Sequence, residues 1–298
     1  MTGVELRGGG VVAVGVAPDG QVTARASLET KGSDAVSAAI AAVERVTPAS
    51  SGPSSLGIAA PDLEATTASR ACDAITSRYA ALFQQRAILG PGTASAVAEA
   101  WIGAARGIRD VVYFGIGDHA TAGFIRGGQP VAGAHRREPA VGWLALNPVE
   151  REDYRKAGCL EAEVATAGLV RRLIWRIKAG DRSRVQDQVN GDLSAITADV
   201  ILEAARNKDG VSISVMRDTA KYLGMAAANL VVVADPEMLV LGGLMSSARD
   251  LLLESILWEL GRRLPGGAME GLKISTAELG DDAAAVGAAR HASSVIPA

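Results

Sequence analysis

Apolar positions recur along this chain with two periods, and the switches between them mark out its elements. Residues 4–16 alternate as a strand pair broken at Gly8-Gly9-Gly10. Ala17-Pro18-Asp19-Gly20 makes the next turn, and residues 21–28 continue as a third strand. Over 33–46 the spacing changes to three and four behind a Ser-Asp cap, which predicts a helix. A Pro/Ser/Gly linker over 47–55 leads into a buried strand at 56–60 that ends on Pro61-Asp62. A helix over 67–85, a short strand at 87–89 and a helix over 95–106 follow. The second half opens with strands at 110–114 and 122–125 on either side of a glycine-rich turn. Helices are predicted over 161–178, 193–207, 211–233, 249–264 and 283–293, with strands at 235–243 and 273–276. No short-period repeat and no low-complexity tail interrupts the pattern.

Composition narrows the class. The chain has 298 residues, 48% of them apolar and only 4% aromatic, which suits an α/β protein packed with small side chains. The net charge of −3 and the dispersed basic residues leave no electrostatic footprint for nucleic acid. No run reaches the roughly 20 apolar residues that a membrane-spanning helix needs. Cys72 and Cys159 lie far apart and no secretory signal is seen at the start, so a reduced, cytoplasmic setting is expected.

The densest stretch of unusual residues runs from Gly115 to Glu161. It opens with Gly115-Ile116-Gly117 after a strand, continues through residues 133–143 (Gly-Ala-His-Arg-Arg-Glu-Pro-Ala-Val-Gly-Trp), and closes on Gly158-Cys159-Leu160-Glu161. With Tyr222-Leu223-Gly224, Ala228-Asn229-Leu230, Asp235-Pro236-Glu237, Gly242-Gly243 and the closing Leu279-Gly280 to Ala288-Ala289, it resembles the ROK family of repressors and sugar kinases, including glucokinases. That resemblance covers nearly the whole chain in order. It implies an α/β, two-domain actin-like ATPase fold, related to ribonuclease H, with an interdomain cleft. Residues 1–92 would form the N-terminal domain, completed by the terminal helix 283–298, and residues 93–282 a larger C-terminal one. It also implies a homodimer.

The frame is kept while most of the reactive side chains are replaced. A sugar kinase needs a base for the hydroxyl proton, donors and a cation for phosphate, and polar groups for the sugar. Counting back from Ala98-Glu99 places Pro91 where the family has its catalytic aspartate, and proline can accept no proton. The first phosphate loop corresponds to Glu5-Leu6-Arg7-Gly8-Gly9-Gly10 with one residue inserted. Glu5 stands for the aspartate that positions magnesium-bound phosphate, while the threonine hydroxyl and the basic side chain are missing. A plain glycine-rich hairpin turn explains the same residues. In the second loop Ile116 replaces threonine; Gly115 and Gly117 can still offer amides to an anion, but Asp118 repels phosphate unless a metal intervenes.

The sugar-side glutamate falls on Ala140 and the zinc-binding histidine on Trp143. The family's zinc loop falls on residues 152–159, where only the last of its cysteines, Cys159, is kept. One thiolate without the histidine and the other sulfurs makes no tetrahedral site, so zinc is not expected. Between Asp62 and Ile88 the chain is shorter than the family pattern, and the loop that carries the family's sugar contacts is read as deleted. Glu161 is the retained sugar-side carboxylate, and equally a charge at a helix start. His119, His135 and His291 show no metal-ligand spacing and read as surface or loop residues. Arg136-Arg137 read as a solvated pair, and the four tryptophans as core or subunit-interface residues.

Two functions follow. One is a sugar-kinase-like protein that has lost phosphoryl transfer and binds a small molecule in its cleft as a ligand-binding or regulatory protein. The other is an active ATP-dependent sugar kinase, with Glu5 or Asp118 on magnesium, Asp62 or Glu161 as base, and Gly242-Gly243 flanking the adenosine. Magnesium-ATP stays open as cofactor. A DNA-binding repressor is disfavoured because no helix-turn-helix sequence precedes the strands.

Overall fold

In the computed structural model, which describes residues 1–30, 34–47, 54–61, 65–135 and 138–294, the chain builds one sheet topology twice. Asp62, Arg136, Arg137 and residues 295–298, singled out above, lie outside the described residues. β1 (Thr2–Arg7), β2 (Gly10–Val16) and β3 (Val22–Glu29) form an antiparallel meander. β4 (Ser54–Ala59) and β5 (Phe83–Leu89) then add in parallel beside β1, for the order β3-β2-β1-β4-β5. In the second half β6 (Val111–Ile116), β7 (Ala120–Arg126) and β8 (Gln129–Pro130) repeat the meander. β9 (Met238–Gly243) and β10 (Lys273–Thr276) repeat the parallel additions, giving β10-β9-β6-β7-β8.

Each sheet has its own core. α1 (Ala35–Val46), whose Asp34 side chain accepts from the Val36 amide at 3.2 Å, and α2 (Ala65–Arg78) cover the first sheet with Val43, Ile58 and Ile75 fully buried. The second core is larger. It gathers α6 (Thr166–Lys178), α8 (Ala198–Arg206), α9 (Gly210–Ala234) and α11 (Arg249–Gly261) around Phe114, Leu239 and Leu241.

The terminal helix of each half crosses to the other half. α3 (Pro91–Trp101) follows the first sheet but packs on β6 and β7, and α12 (Ala283–Ser294) follows the second sheet but packs on β1 and β4. The two helices also pack on each other, close enough that a Cβ at Gly287 would overlap the Ala94 carbonyl oxygen. Glu99, fully buried, ties the crossing together. Its carboxylate accepts from the amides of Ala104 (2.8 Å), Glu278 (3.0 Å) and Leu279 (3.0 Å).

Several boundaries differ from the sequence reading. The helix expected over 67–85 stops at Arg78, and the strand expected at 87–89 starts at Phe83. Phe83-Gln84-Gln85-Arg86 is an edge strand with polar outer positions, and such residues carry no β signal of their own. α3 begins at Pro91 rather than 95, because proline fits the first helical position with no amide to leave unpaired, and it ends at Trp101 rather than 106. The helix expected over 161–178 breaks at Ala165, which is extended (φ −63°, ψ 159°). There the Thr166 amide is given to the Gly117 carbonyl at 3.0 Å. The stretch 193–207 divides into a 3-10 turn at Leu193–Ala195 and α8. Trp143, Trp175 and Trp258 are exposed on the single chain, so these three are not core residues.

Replacing Glu99 by alanine leaves three partly buried amides without their acceptor, each worth about 1–3 kcal/mol. Glu99→Ala is expected to lower unfolding free energy by about 3 kcal/mol or more, read as a lower urea midpoint with an unchanged slope.

Candidate functional site

The repeated hairpins face each other across a two-lobed cleft. The inner lobe, about 280 Å³, lies between the β1–β2 hairpin, the start of α3 and the β6–β7 turn, with Glu5, Arg7, Gly8, Pro91, Tyr113 and His119 in its wall. The outer lobe, about 880 Å³, is walled by α6 (Val170, Ile174), by Leu244 and Ser246 of α10 (Leu244–Ser247), and by Thr197 and Asp199. Gly117, Asp118, Gly243 and Asp281 border both lobes. An outer lobe of this size, with apolar walls and a few polar groups, has the proportions of a small-molecule site.

Glu5 and Arg7 are two apart on one strand, so they share a face. The Arg7 guanidinium donates to Glu5 Oε2 from Nε at 2.8 Å and from Nη2 at 2.5 Å, and to the Asp281 carbonyl at 2.5 Å. Burial raises the Glu5 carboxyl above the usual carboxylate range, with Arg7 pulling it back down. The basic side chain that the resemblance expects after the glycines is absent, and Arg7 instead reaches the cleft from the strand before them.

Gly8 and Gly9 form the hairpin turn, and Gly10 already pairs with Arg7 as the start of β2. Of the glycines named from sequence, Gly8, Gly115, Gly117 and Gly243 line the inner lobe. Gly9, Gly10 and Gly242 are not in the wall of either lobe. Gly242 instead lies against the Tyr113 ring, and burial pushes the Tyr113 hydroxyl well above the usual phenol range. Gly243 has φ +60° and sits so tightly on the Ile116 carbonyl that no side chain fits. The Ile116 side chain is buried in the second core, so the position read as a lost threonine is a packing residue here. The Gly117 amide donates to the His119 carbonyl at 3.1 Å, within its own turn, and Asp118 accepts from the Thr166 hydroxyl at 3.0 Å.

Pro91 stands at the first position of α3, in the inner wall. Glu161, in the first turn of α5 (Cys159–Val164), accepts from the Ala120 amide at 3.2 Å and pairs with His119 Nδ1 at 2.9 Å. His119 is therefore a cleft residue and not the ordinary loop histidine expected from its spacing. That hydrogen bond raises the imidazole's hold on its proton above the ordinary value, with burial opposing it. A second carboxylate, Glu138, accepts from the Gly92 amide and, at 3.2 Å, from the Thr93 amide. It escaped the sequence reading because it stands two residues before Ala140, where the sugar-side glutamate was sought.

The stretch matched to the zinc loop holds a network of charged and aromatic groups. α4 (Glu152–Ala157) brings Asp153 to Arg151 (2.8 Å) and Arg171 (2.9 Å), while buried Glu163 takes Arg151 at 3.0 Å and the Tyr154 hydroxyl. Arg151 lies over the rings of Tyr154 and Trp175. Cys159 is buried beside Tyr154 and Ala162. Among the described residues, no group of three or more His, Cys, Asp or Glu side chains is placed to hold a metal, and no helix is long and apolar enough to cross a membrane.

Duplicated sheets with exchanged terminal helices and a cleft between facing hairpins define the actin-like ATPase fold. The chain belongs to the ROK family, whose sequence model matches residues 92–294. It is 27% identical to a glucokinase of Halalkalibacterium halodurans over 65% of this chain and 59% of that protein. It is 28% identical to a xylose repressor of Caldicellulosiruptor bescii over 65% and 48%. The matched region thus spans about half the length of these relatives. A Streptomyces griseus ROK glucokinase, solved with glucose and AMPPNP, superposes with a TM-score of 0.83 at 25% identity over 99% of both chains. A ROK transcriptional regulator homologous to Escherichia coli Mlc gives 0.79 at 19% identity, over 97% of this chain and 76% of that one.

Because the folded value of His119 is raised, its pairing with Glu161 stabilises the fold fully below about pH 6.5, and that contribution is lost as pH rises through the folded value. With His119 partly exposed, the effect is expected to stay below about 1 kcal/mol. An NMR titration should place the His119 midpoint above that of an unfolded histidine, and Glu161→Gln should bring it down.

Proposed function

We propose that this protein binds a small ligand in the cleft and does not transfer phosphate to it. The observation that carries the reading is Pro91 at the first turn of α3, in the cleft wall where the family resemblance expects the catalytic aspartate. The neighbouring chemistry supports it. Glu5, matched to the magnesium-positioning aspartate, is held by Arg7, and the Gly117 amide is satisfied by its own turn. A nucleotide entering here meets fewer free donors than a phosphate loop needs. The apolar outer lobe remains suited to a flat, partly apolar group, and the inner lobe to a hydroxylated one. The family includes both sugar kinases and sugar-named repressors, and a regulatory role is the one this reading assigns. The dispersed basic residues support a ligand site rather than a nucleic-acid surface.

A second reading, an active ATP-dependent sugar kinase, is favoured by one feature. The His119–Glu161 pair is a carboxylate-oriented imidazole in the same lobe as Arg7, an arrangement that can take up a proton. Asp62, the other candidate base, lies outside the described residues.

An ADP-release assay with magnesium-ATP and a panel of hexoses and amino sugars separates the two. No sugar-dependent ADP is expected. Sugar-dependent release that disappears in Glu161→Gln contradicts the first reading and establishes the second.

A further inference from the structure

The first amides of a helix have no partner inside it, and α3 begins inside the cleft. Those of Gly92 and Thr93 are taken by the Glu138 carboxylate, which arrives from a segment 45 and more residues later. The backbone is shaped for that side chain. A Cβ at Gly90 would stand 2.5 Å from both the Cβ and the carboxyl carbon of Glu138, and one at Gly92 would overlap its Oε1. Glycine at position 90 is therefore what lets Glu138 lie there, while a Cβ at Gly92 would overlap the Ala122 carbonyl as well. The negative charge of Glu138, after those of Glu161 and Asp118, also raises His119's hold on its proton.

We propose that Glu138 is an internal plug, its carboxylate filling the place beside Pro91 that a hydroxylated ligand must enter. Ligand binding then requires Glu138 to leave the α3 amides. A state that must open before it binds has its affinity reduced by the open fraction, so a plug that is out about one part in ten weakens binding about tenfold. The proposal rests on reading the cleft as a ligand site, but not on whether phosphate is transferred there.

The test is a calorimetric titration with glucose as the probe, comparing the full chain with Glu138→Ala and Glu138→Asp, alongside amide hydrogen exchange at the start of α3. The aspartate is one methylene short of the amides and keeps the charge, so it carries the comparison if the alanine variant does not fold. Both variants are expected to bind glucose at least tenfold more tightly, with faster exchange at Gly92 and Thr93. Equal or weaker affinity in the variants, including no heat from any of the three proteins, overturns the plug. ADP release by the unaltered chain would contradict the proposed function while leaving this comparison intact.

Discussion

Everything in this molecule depends on how closely α3 and α12 approach. Each sheet sends its last helix across to cover the other, and the pair meets where Gly287 lies on the Ala94 carbonyl. Glu99 then fastens the end of α3 to the turn that leads into α12, through three backbone amides and out of reach of water. A buried carboxylate with its lone pairs filled holds both halves in one arrangement, because any slippage would strand either the charge or the amides. The cleft geometry follows from this. With the sheets fixed, the two hairpins face each other, and the N-terminus of α3 opens between them.

On that frame, polar groups at and beside the cleft are engaged with one another. Arg7 is spent on Glu5, Glu161 on His119, Asp118 on Thr166, and the α3 amides on Glu138. The network around Arg151, Asp153, Glu163 and Tyr154 stands where the family resemblance expects zinc, and cross-links α4, α5 and α6 by ion pairs and ring contacts. Pairing of this kind costs little in a rigid scaffold and leaves few polar groups that a phosphate could claim without displacing a partner.

The elements were largely legible in the sequence, because the longest helices and buried strands carry strong periodicity, while their topology came with the family resemblance. α9 was read at 211–233 and spans Gly210–Ala234, while β6, β9, β10 and α12 were placed within a few residues. The misplaced boundaries are those where long-range contacts decide. β5 is polar on its outer face and exists because β4 pairs with it, and the break at Ala165 follows from a hydrogen bond to Gly117, 49 residues away. Of the site, the family resemblance reads Pro91, Ala140 and Trp143 as replaced groups. Arg7 entering from the strand, His119 meeting Glu161 and Glu138 reaching α3 are encounters across the fold, and no local pattern announces them.

The central claim is that cleft charges are satisfied internally rather than held for a metal-nucleotide. The most direct measurement is a crystal structure grown with magnesium, AMPPNP and glucose at millimolar concentration. The account predicts that Glu5 remains on Arg7, with no metal on Glu5 or Asp118 and no carboxylate on a sugar hydroxyl in line with the γ-phosphate. A magnesium ion bridging either of those acids to the nucleotide, with a carboxylate on a sugar hydroxyl in line with the γ-phosphate, would contradict it.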